Sequence, residues 1–104
     1  MKEIKAFIRT NKVNDVAMNL QKGGFYCFSI FEGEGSGNLS DPDKEYPSLE
    51  HPFLHYKIAK LEIVCNKADE NTIVKIIKEH AHTGKSGDGL IYVSHVEQKV
   101  KIKD

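Results

Sequence analysis

The residues best suited to chemistry form one short stretch, Thr83-Gly84-Lys85-Ser86-Gly87-Asp88-Gly89, which combines three glycines with a lysine, two hydroxyls and an acid. Glycine lacks the Cβ atom that disfavours positive φ, so the backbone here can turn its N–H groups inward around an anion. Lys85 adds a positive charge. The stretch therefore predicts an anion-binding loop of the kind that holds phosphate, with a purely structural turn as the alternative.

The Gly84-Lys85-Ser86 run does not fit the P-loop of nucleotide-hydrolysing enzymes. That motif needs a glycine five positions before its Gly-Lys pair, where this chain has Glu79. A P-loop also leads from a strand into a helix, whereas this stretch leaves a helical pattern and enters a strand pattern. We therefore expect a phosphate loop of a different kind.

Two pairs of histidines are further candidates for chemistry. His51 and His55 are separated by three residues, and His80 and His82 lie at the end of the second helical pattern. Imidazole is a common ligand of zinc and copper, but neither pair has a carboxylate or thiol at a metal-binding spacing. We expect His80 to end the inner face of its helix and His82 to act as a cation near the helix C terminus, with metal binding as the alternative.

Cys27 and Cys65 fit no zinc spacing and do not form a secreted disulfide framework, which favours a reducing compartment. They lie at similar distances from the two ends of a long central loop, so a symmetric hairpin would place them opposite each other. Oxidation would join such a cross-strand pair with some strain and make it a redox sensor. Two buried free cysteines are the alternative.

Two classes of function are disfavoured. No nucleophile comes paired with a base and an orienting acid, and the histidines fall on separate elements, so we do not expect an enzyme. Fifteen basic and fifteen acidic side chains balance, which removes a general attraction to nucleic acid or to an anionic membrane. RNA binding is also disfavoured because residues 60–65 contain no aromatic platform for bases.

The chain of 104 residues has the length of one domain, 1–104, with a single modest core. It begins with Met1-Lys2-Glu3-Ile4 and has no run approaching the roughly 18 apolar residues of a membrane span. Neither export nor membrane insertion is indicated, and we expect a cytoplasmic protein.

The first part of the chain predicts a strand, a helix and a strand. Residues 2–10 alternate as a strand, and 12–22 carry apolar residues at the i, i+3, i+4, i+7 spacing of an amphipathic helix. Gly23 and Gly24 supply a left-handed exit from that helix. Residues 25–31 are so apolar that we expect a second strand covered on both faces.

The remainder begins with a long loop. From Gly33 to Pro52 glycine, proline, asparagine, serine and aspartate recur within about twenty residues, and we expect no regular structure in the loop 36–56. A third strand follows from Tyr56 to Cys65, and then a helix over 69–82 with acidic residues at its N terminus. Residues 90–96 predict a fourth strand, and 99–103 alternate as a short fifth strand.

This order is the split βαβ arrangement of the α+β ferredoxin-like class, βαββαβ, here with a short C-terminal fifth strand. Two helices on one face of a single sheet leave the other face bare. Because the second strand is apolar on both sides, we expect another copy of the chain to cover that face. The patterning does not set the number of copies.

The chain resembles the PII signalling proteins, the nitrogen regulators, over nearly its whole length except residues 38–57. The resemblance rests on the 83–89 stretch, on Leu90-Ile91-Tyr92-Val93 after it and on the helix 69–82 before it. Further matching residues are Ile4, Lys12, Asp15-Val16, Gly24, Glu32, Gly35, Gly37 and Glu62-Ile63-Val64. The resemblance implies a homotrimer that binds ATP, ADP or AMP in clefts between subunits and uses residues 36–56 to regulate a target protein.

The resemblance also implies the residues that contact the nucleotide. Gly87, Asp88 and Gly89 would face the phosphates and ribose. Glu62, Val64 and Thr83 would border the base. Two further glycines would lie where the long loop leaves near the phosphates, namely Gly35 and Gly37.

Lys101 and Lys103 stand where the family has two arginines that grip the phosphates from the neighbouring subunit. Lysine keeps the charge but lacks the bidentate fork, so a weaker or less selective grip is expected. The alternative is that these lysines only solvate a strand edge.

Several positions depart from the family pattern. Leu39 replaces a glutamine that completes a magnesium site with ATP in members that sense 2-oxoglutarate, and leucine cannot bind a hard cation. Leu90 replaces a phosphate-contacting lysine, and Ile58 stands where an oxoacid-contacting lysine is expected, although Lys57 is adjacent. His51 lies about where the family's modified tyrosine would be. We therefore expect nucleotide binding without 2-oxoglutarate sensing, tyrosine modification or a complete magnesium site.

The expected target is a membrane transporter or a metabolic enzyme. One alternative keeps the fold and changes the ligand: a PII-like regulator of an inorganic-carbon, ammonium or metal transporter that responds to another small anion, such as bicarbonate, or to a metal. A phosphoryl-transfer enzyme built around Asp88 is the remaining alternative.

Overall fold

The computed structural model describes residues 1–36 and 56–103. Strands one, three and four and both helices are confirmed to within two residues of their predicted ends. In chain order the elements are β1 (Lys2–Ile8), a 3-10 helix (Thr10–Lys12), α1 (Val13–Lys22), β2 (Phe28–Gly35), β3 (Tyr56–Cys65), a 3-10 helix (Lys67–Asp69), α2 (Glu70–Ala81) and β4 (Gly89–His95).

Within the described residues, the strands form an antiparallel sheet in the order β2-β3-β1-β4. β1 is central, with Ile4 opposite Ile63 of β3 and Ile8 opposite Gly89 of β4. β3 lies between β1 and β2, and β1 lies between β3 and β4, so each βαβ unit is split by a strand of the other. This is the α+β ferredoxin-like arrangement that the order of patterns predicted.

The core lies between the sheet and the two helices. Strand residues alternate between the two faces of a sheet, and helix residues return to one face every three or four positions. Each element therefore contributes one apolar stripe, and burying one Leu or Ile side chain stabilises the fold by about 1.5–3 kcal/mol. The largest fully buried side chains are Ile4, Val16, Leu20, Leu61, Ile73 and Ile77. This packing holds both helices on one face of the sheet.

The second strand begins at Phe28 rather than at Phe25, which corrects the predicted bounds. The N–H group of Phe25 donates to the Leu20 carbonyl oxygen at 2.9 Å, and that of Gly24 donates to the Gln21 carbonyl oxygen at 2.9 Å. Gly24 has a φ of +91°. These contacts form a Schellman motif, so Phe25 belongs to the end of α1 and cannot start a strand.

The sheet face opposite the helices (the open face) carries charged and aromatic side chains. Lys60 Nζ lies 3.0 Å from Glu62 Oε1 and 5.1 Å from the centre of the Phe31 ring. Phe7 and Tyr92 make an edge-to-face contact. Because Phe31 is 53% exposed, β2 is not covered on both faces within one chain, and Tyr92 of β4 is likewise 56% exposed. Cover by another copy stays a prediction.

The predicted fifth strand over 99–103 is wrong. Residues 96–103 form no strand, and the Val96 N–H group makes a hydrogen bond to the Met1 carbonyl oxygen at 3.1 Å as the tail leaves the sheet. Val100 is 72% exposed and Ile102 is fully exposed. The tail alternates like a strand, but among the described residues no strand pairs with it.

The helices are short. α1 has 10 residues and α2 has 12, whereas a helix that spans a bilayer needs about 20. Within 1–36 and 56–103, no helix is long and apolar enough to cross a membrane.

Candidate functional site

The glycine-rich stretch forms a loop between α2 and β4, the 83–89 loop. α2 ends at Ala81 because His82 adopts an extended backbone, with φ −71° and ψ 132°. β4 begins at Gly89, opposite Ile8 at the end of β1. The loop is therefore held at both ends by elements that pack in the core, in the helix-to-strand order that the sequence predicted.

The Asp88 carboxylate holds the 83–89 loop together from within. Its Oδ2 atom accepts hydrogen bonds from the backbone N–H groups of Thr83 at 2.8 Å and Gly84 at 2.9 Å. Its Oδ1 atom accepts from the Thr83 hydroxyl and from Arg9 Nε, the latter at 3.1 Å. Both carboxylate oxygens are thus engaged by the protein, so the side chain of Asp88 shapes the loop.

Arg9 is a site residue that sequence reasoning missed. Arg9 is only 7% exposed. It forms an ion pair with Asp88, and its Nη2 atom donates a hydrogen bond to the Ser86 carbonyl oxygen at 2.7 Å. The available signal was a charged residue directly after an alternating apolar strand. Since a buried arginine requires a partner, that position indicated a paired acid elsewhere in the chain.

These contacts change the acidity of Asp88. Desolvation by burial raises its pKa, but hydrogen bonds from the Thr83 hydroxyl and N–H groups, from Arg9 and from the Gly84 N–H group outweigh that effect. The pKa of Asp88 consequently lies well below its usual range. The Arg9–Asp88 ion pair is therefore intact throughout the physiological pH range.

A turn at Ser86 and Gly87 forms the tip of the loop. Gly87 has a φ of +90°, the sign that the third residue of a type II turn requires. Within the described residues, the N–H groups of Ser86 and Gly87 have no hydrogen-bond acceptor. Two backbone donors at the tip are therefore available to an anion, which the interpretation as a phosphate loop requires.

The requirement for glycine at position 89 is structural and does not depend on a ligand. The φ of Gly89 is +111°, and a Cβ atom built on it would lie 1.7 Å from the Phe7 carbonyl oxygen. Glycine is required because the start of β4 passes so close to the backbone of β1.

Glu62 and Val64, predicted to border the base, lie on the open face of β3. Together with Glu3, Ser29 and Lys99 they line an open cavity of about 400 Å³, the β3 cavity. The cavity presents carboxylates, a hydroxyl and an ammonium group. Ser29 and Lys99 join the candidate residues on this ground, and no motif in the sequence pointed to either.

The β3 cavity and the 83–89 loop do not meet within one chain. Val64 is opposite Glu3 of β1, whereas Gly89 is opposite Ile8. Five positions on β1 separate these pairs, about 17 Å at roughly 3.4 Å per residue, and Glu62, opposite Lys5, is three positions or about 10 Å away. The structure therefore divides the predicted nucleotide contacts between two separate parts of the chain.

Gly35 lies at the same end of the sheet as the 83–89 loop. It is the last residue of β2 and is paired with Tyr56, the first residue of β3. A Cβ atom at position 35 would lie 3.2 Å from the Tyr56 ring, so glycine lets the buried tyrosine pack across the end of the sheet. Gly37 and Leu39 lie outside the described residues, as does most of the predicted loop 36–56.

The lysines of the tail and Leu90 differ in their surroundings. Lys101 and Lys103 are exposed, and no ion pair forms between them and another described residue. Leu90 follows the loop and lines an apolar cavity of about 400 Å³ between α2 and β4, next to Asp88 and Gly89. The loop therefore carries its backbone donors beside an apolar wall.

The predicted opposition of Cys27 and Cys65 is wrong. Phe28 is opposite Ile63, which extrapolates to Cys27 opposite Val64. A shift of one residue places the two side chains on opposite faces of the sheet. Both thiols are free, Cys27 is exposed, and burial raises the pKa of the Cys65 thiol.

The histidines lie on separate parts of the chain. His80 is half-buried in the last turn of α2, and His82 is exposed just beyond its end. In the part of the chain that the structure describes, no three His, Cys, Asp or Glu residues are placed to hold a metal ion. His51 and His55 lie outside that part.

The 83–89 loop has the character of a binding site. It offers backbone donors, and its acid is already neutralised by Arg9. The Thr83 hydroxyl donates to the Asp88 carboxylate, but that carboxylate also accepts from Arg9 and from two backbone N–H groups, which makes it a poor general base. These features are those of a loop suited to hold an anion.

Comparison with known proteins identifies the family. The family model described as nitrogen regulatory protein P-II matches residues 1–104. The chain is 35% identical over 103 residues to nitrogen regulatory protein P-II of Porphyra purpurea, covering 99% of this chain and 92% of that protein. It is 34% identical, over 99% of this chain and 90% of the relative, to nitrogen regulatory protein P-II 2 of Methanothermobacter thermautotrophicus. The chain therefore belongs to the nitrogen regulatory protein P-II family.

Family membership confirms the resemblance inferred from the 83–89 stretch and its flanking elements. Members of this family are signal-transduction proteins that respond to small effectors and act on target proteins. The protein is accordingly a regulator and not an enzyme, as the lack of a catalytic constellation predicted.

Proposed function

We propose that this protein is a cytoplasmic adenine-nucleotide sensor. It assembles as a homotrimer of single domains, 1–104, binds ATP, ADP or AMP in clefts between subunits, and controls its target through residues 36–56. The target is a membrane transporter or a metabolic enzyme. The two free cysteines suit the reducing compartment in which such a regulator would work.

The observation that carries this proposal is the preorganised 83–89 loop. Arg9 and Asp88 fix its backbone from within, and the N–H groups of Ser86 and Gly87 remain available at its tip. A loop that is ordered before binding loses little conformational entropy when an anion arrives. Backbone donors grouped in this way form many phosphate-binding sites in proteins.

The division of the remaining residues supports a site between subunits. Glu62, Val64 and Lys99 line the β3 cavity, and along β1 Glu62 and Val64 lie about 10 and 17 Å from the loop of the same chain. A second copy packed on the open face would bring its own β3 cavity towards the loop and would cover Phe31 and Tyr92. In that arrangement the neighbour supplies Glu62 and Val64 for the base and Lys101 and Lys103 for the phosphates.

The position of Gly35 supports a route from ligand to target. It lies at the sheet end that carries the 83–89 loop, and the regulatory segment 36–56 begins directly after it. A nucleotide that contacts this end biases the conformations of the segment. Allosteric coupling of this kind is typically worth about 1–3 kcal/mol.

Calorimetric titration with ATP, ADP and AMP tests the proposal, with sedimentation on the same samples to establish the oligomer. We expect saturable binding to a trimer and competition among the three nucleotides. Absence of heat with all three, at concentrations where the protein is trimeric, would refute nucleotide sensing. Heat with bicarbonate alone would favour the alternative of a PII-like regulator for another small anion.

Mixed trimers test whether the site lies between subunits. A Gly87→Ala chain is defective in the loop, and a Glu62→Ala chain is defective in the β3 cavity. If the site joins two chains, refolding the two variants together restores nucleotide binding at a fraction of the sites. Binding that stays at the level of the separate variants would place the whole site within one chain.

A further inference from the structure

The peptide group between Ser86 and Gly87 has a fixed carbonyl and a free N–H. The Ser86 carbonyl oxygen accepts a hydrogen bond from Arg9 Nη2 at 2.7 Å. The described residues contain no cis peptide bond, and in a trans peptide the C=O and N–H bonds point in opposite directions. The N–H group of Gly87 therefore points away from Arg9, towards the outside of the loop.

This peptide has two possible orientations. Type I and type II turns differ in the direction of their central peptide, which reverses the sign of φ at the third residue. At +90°, Gly87 is in the type II orientation. Glycine adopts both signs of φ about equally well, so Gly87 by itself does not select either. In the reversed orientation the carbonyl oxygen would face an incoming anion and repel it.

The surroundings of Arg9 select the orientation. Its guanidinium group binds the Ser86 carbonyl oxygen and the Asp88 carboxylate at once, and Arg9 is only 7% exposed. Reversal would turn the Gly87 N–H group towards this buried donor and would leave Nη2 without the Ser86 acceptor. Reversal therefore breaks a 2.7 Å hydrogen bond and brings two N–H donors face to face at a buried position, so Arg9 opposes the reversal.

We propose that Arg9 is a positioning residue for the ligand: it holds the Ser86–Gly87 peptide with its N–H outward and so makes the loop tip attract phosphate. The inference rests on the proposed function for the identity of the ligand, an adenine nucleotide. Arg9 itself does not touch the ligand. Its effect passes through the backbone of the loop, which distinguishes it from Lys101 and Lys103.

Lysine cannot replace Arg9 in this role. The ammonium group is a single point of donation, whereas the planar guanidinium holds two acceptors in a fixed geometry. Arg9→Lys keeps the charge beside Asp88 and still weakens control of the Ser86 carbonyl. The pair Arg9→Lys and Arg9→Met therefore separates the effect of charge from that of peptide orientation.

Nuclear magnetic resonance of the ligand-free protein tests the orientation directly. In a type II turn the Hα atom of Ser86 is close to the N–H proton of Gly87, and in a type I turn the N–H protons of the two residues are close. We expect the type II contact in the natural protein and a strong contact between the two N–H protons in Arg9→Met. An unchanged type II contact in Arg9→Met would overturn the proposal.

Binding of inorganic tripolyphosphate and of ATP supplies the second readout. We expect Arg9→Met to lose about tenfold or more in affinity for both, as for removal of a hydrogen bond to a charged group. Arg9→Lys should lie between Arg9→Met and the natural protein. Equal affinity in all three, with the natural protein binding normally, would overturn the proposal.

Substitutions of Gly87 keep the test valid if Arg9→Met does not fold. Alanine resists positive φ and asparagine tolerates it. With Arg9 intact, Gly87→Ala should therefore lose more affinity for tripolyphosphate than Gly87→Asn, and only Gly87→Ala should gain the contact between N–H protons. The reverse ranking would overturn the proposal. Failure of the natural protein to bind either probe would refute the proposed function. It would leave the role of Arg9 testable, because the resonance experiment measures the turn type in the absence of ligand.

Discussion

The 83–89 loop and the C-terminal tail, residues 97–103, are both expected to contact the phosphates of a nucleotide, yet they differ in how they are held. The loop is fixed by Asp88, whose carboxylate accepts four hydrogen bonds, and by Arg9, the residue directly after β1. The tail is exposed and forms no strand, with Lys101 and Lys103 outside every ion pair of the described residues. One half of the proposed site is thus built by a single chain.

The loop and the tail differ because their polar groups find hydrogen-bond partners in different places. The polar groups of the loop find them within five residues or at the end of β1. The tail has the alternation of a strand, and a strand is stable only when another strand edge pairs with it. Its position is therefore expected to depend on a neighbouring copy.

The largest expected effect comes from Gly89→Ala, which attacks the anchored region. The new Cβ atom would lie 1.7 Å from the Phe7 carbonyl oxygen at a φ of +111°. We expect the free energy of unfolding to fall by more than about 4 kcal/mol, or the protein not to fold. Urea unfolding measures this.

Gly33→Ala is its matched control. A Cβ atom at position 33 meets nothing within 4 Å, so stability should be unchanged or rise by less than about 1 kcal/mol. A similar loss in both variants would show that the approach of β4 to β1 is not what constrains Gly89.

Asp88→Ala should have the next largest effect. It removes the Asp88 carboxylate from the ion pair with the buried Arg9 and removes the acceptor of the Thr83 and Gly84 N–H groups. Removing one partner of a buried pair costs on the order of 3 kcal/mol. Glu79→Ala is the control, since its 4.0 Å contact with Lys75 is exposed and should cost less than about 0.5 kcal/mol.

Acid should remove part of the contribution of Asp88. Because the pKa of Asp88 is lower in the folded protein than in the unfolded chain, ionised Asp88 stabilises the fold above the unfolded value, about 3.9. This contribution is lost as the pH falls towards the folded value. The stability difference between the natural protein and Asp88→Asn should be constant from about pH 7 to 5 and narrow below about pH 4. A difference independent of pH would contradict the assigned cause of the shift.

The smallest effect on stability is expected for Lys101→Ala with Lys103→Ala. Both side chains are exposed, so the free energy of unfolding of the single chain should change by less than about 0.5 kcal/mol. Affinity for ATP should fall while the hydrogen bonds of the 83–89 loop persist. Replacing both lysines by arginine should raise the affinity, because the guanidinium fork holds phosphate bidentately. A large loss of stability in the alanine variant would show that the tail is already anchored within one chain.

Much of the fold was predictable from the spacing of apolar residues. Period-two alternation located β1, the strand patterns that follow Tyr56 and Gly89 located β3 and β4, and helical spacing located α1 and α2. The start of β2 was not predictable in this way, because the Schellman motif at Gly24 takes Phe25 into the end of α1. The prediction of a fifth strand was wrong for a different reason. Residues 99–103 have the alternating pattern of a strand, but no strand in the described part of the chain pairs with them.

The site was predictable in composition and not in geometry. The glycines of the 83–89 stretch marked the loop, and the family resemblance named Asp88. The register of β2 and β3 separates Cys27 from Cys65 and depends on how the two whole strands pair. From the sequence this register could only be guessed, by assuming a symmetric hairpin. Ser29 and Lys99 could be assigned to the β3 cavity only from the tertiary structure, because they come from different parts of the chain.

The sequence by itself determined that this protein carries a glycine-rich loop between a helix and a strand of a ferredoxin-like domain, because glycine content and apolar spacing are local properties. Only the tertiary structure decided what the loop's acid does. Arg9 and Asp88 are 79 positions apart, and they meet because β1 and β4 pair side by side and end together at Ile8 and Gly89. That contact turns Asp88 from an expected ligand contact into the internal support of the loop.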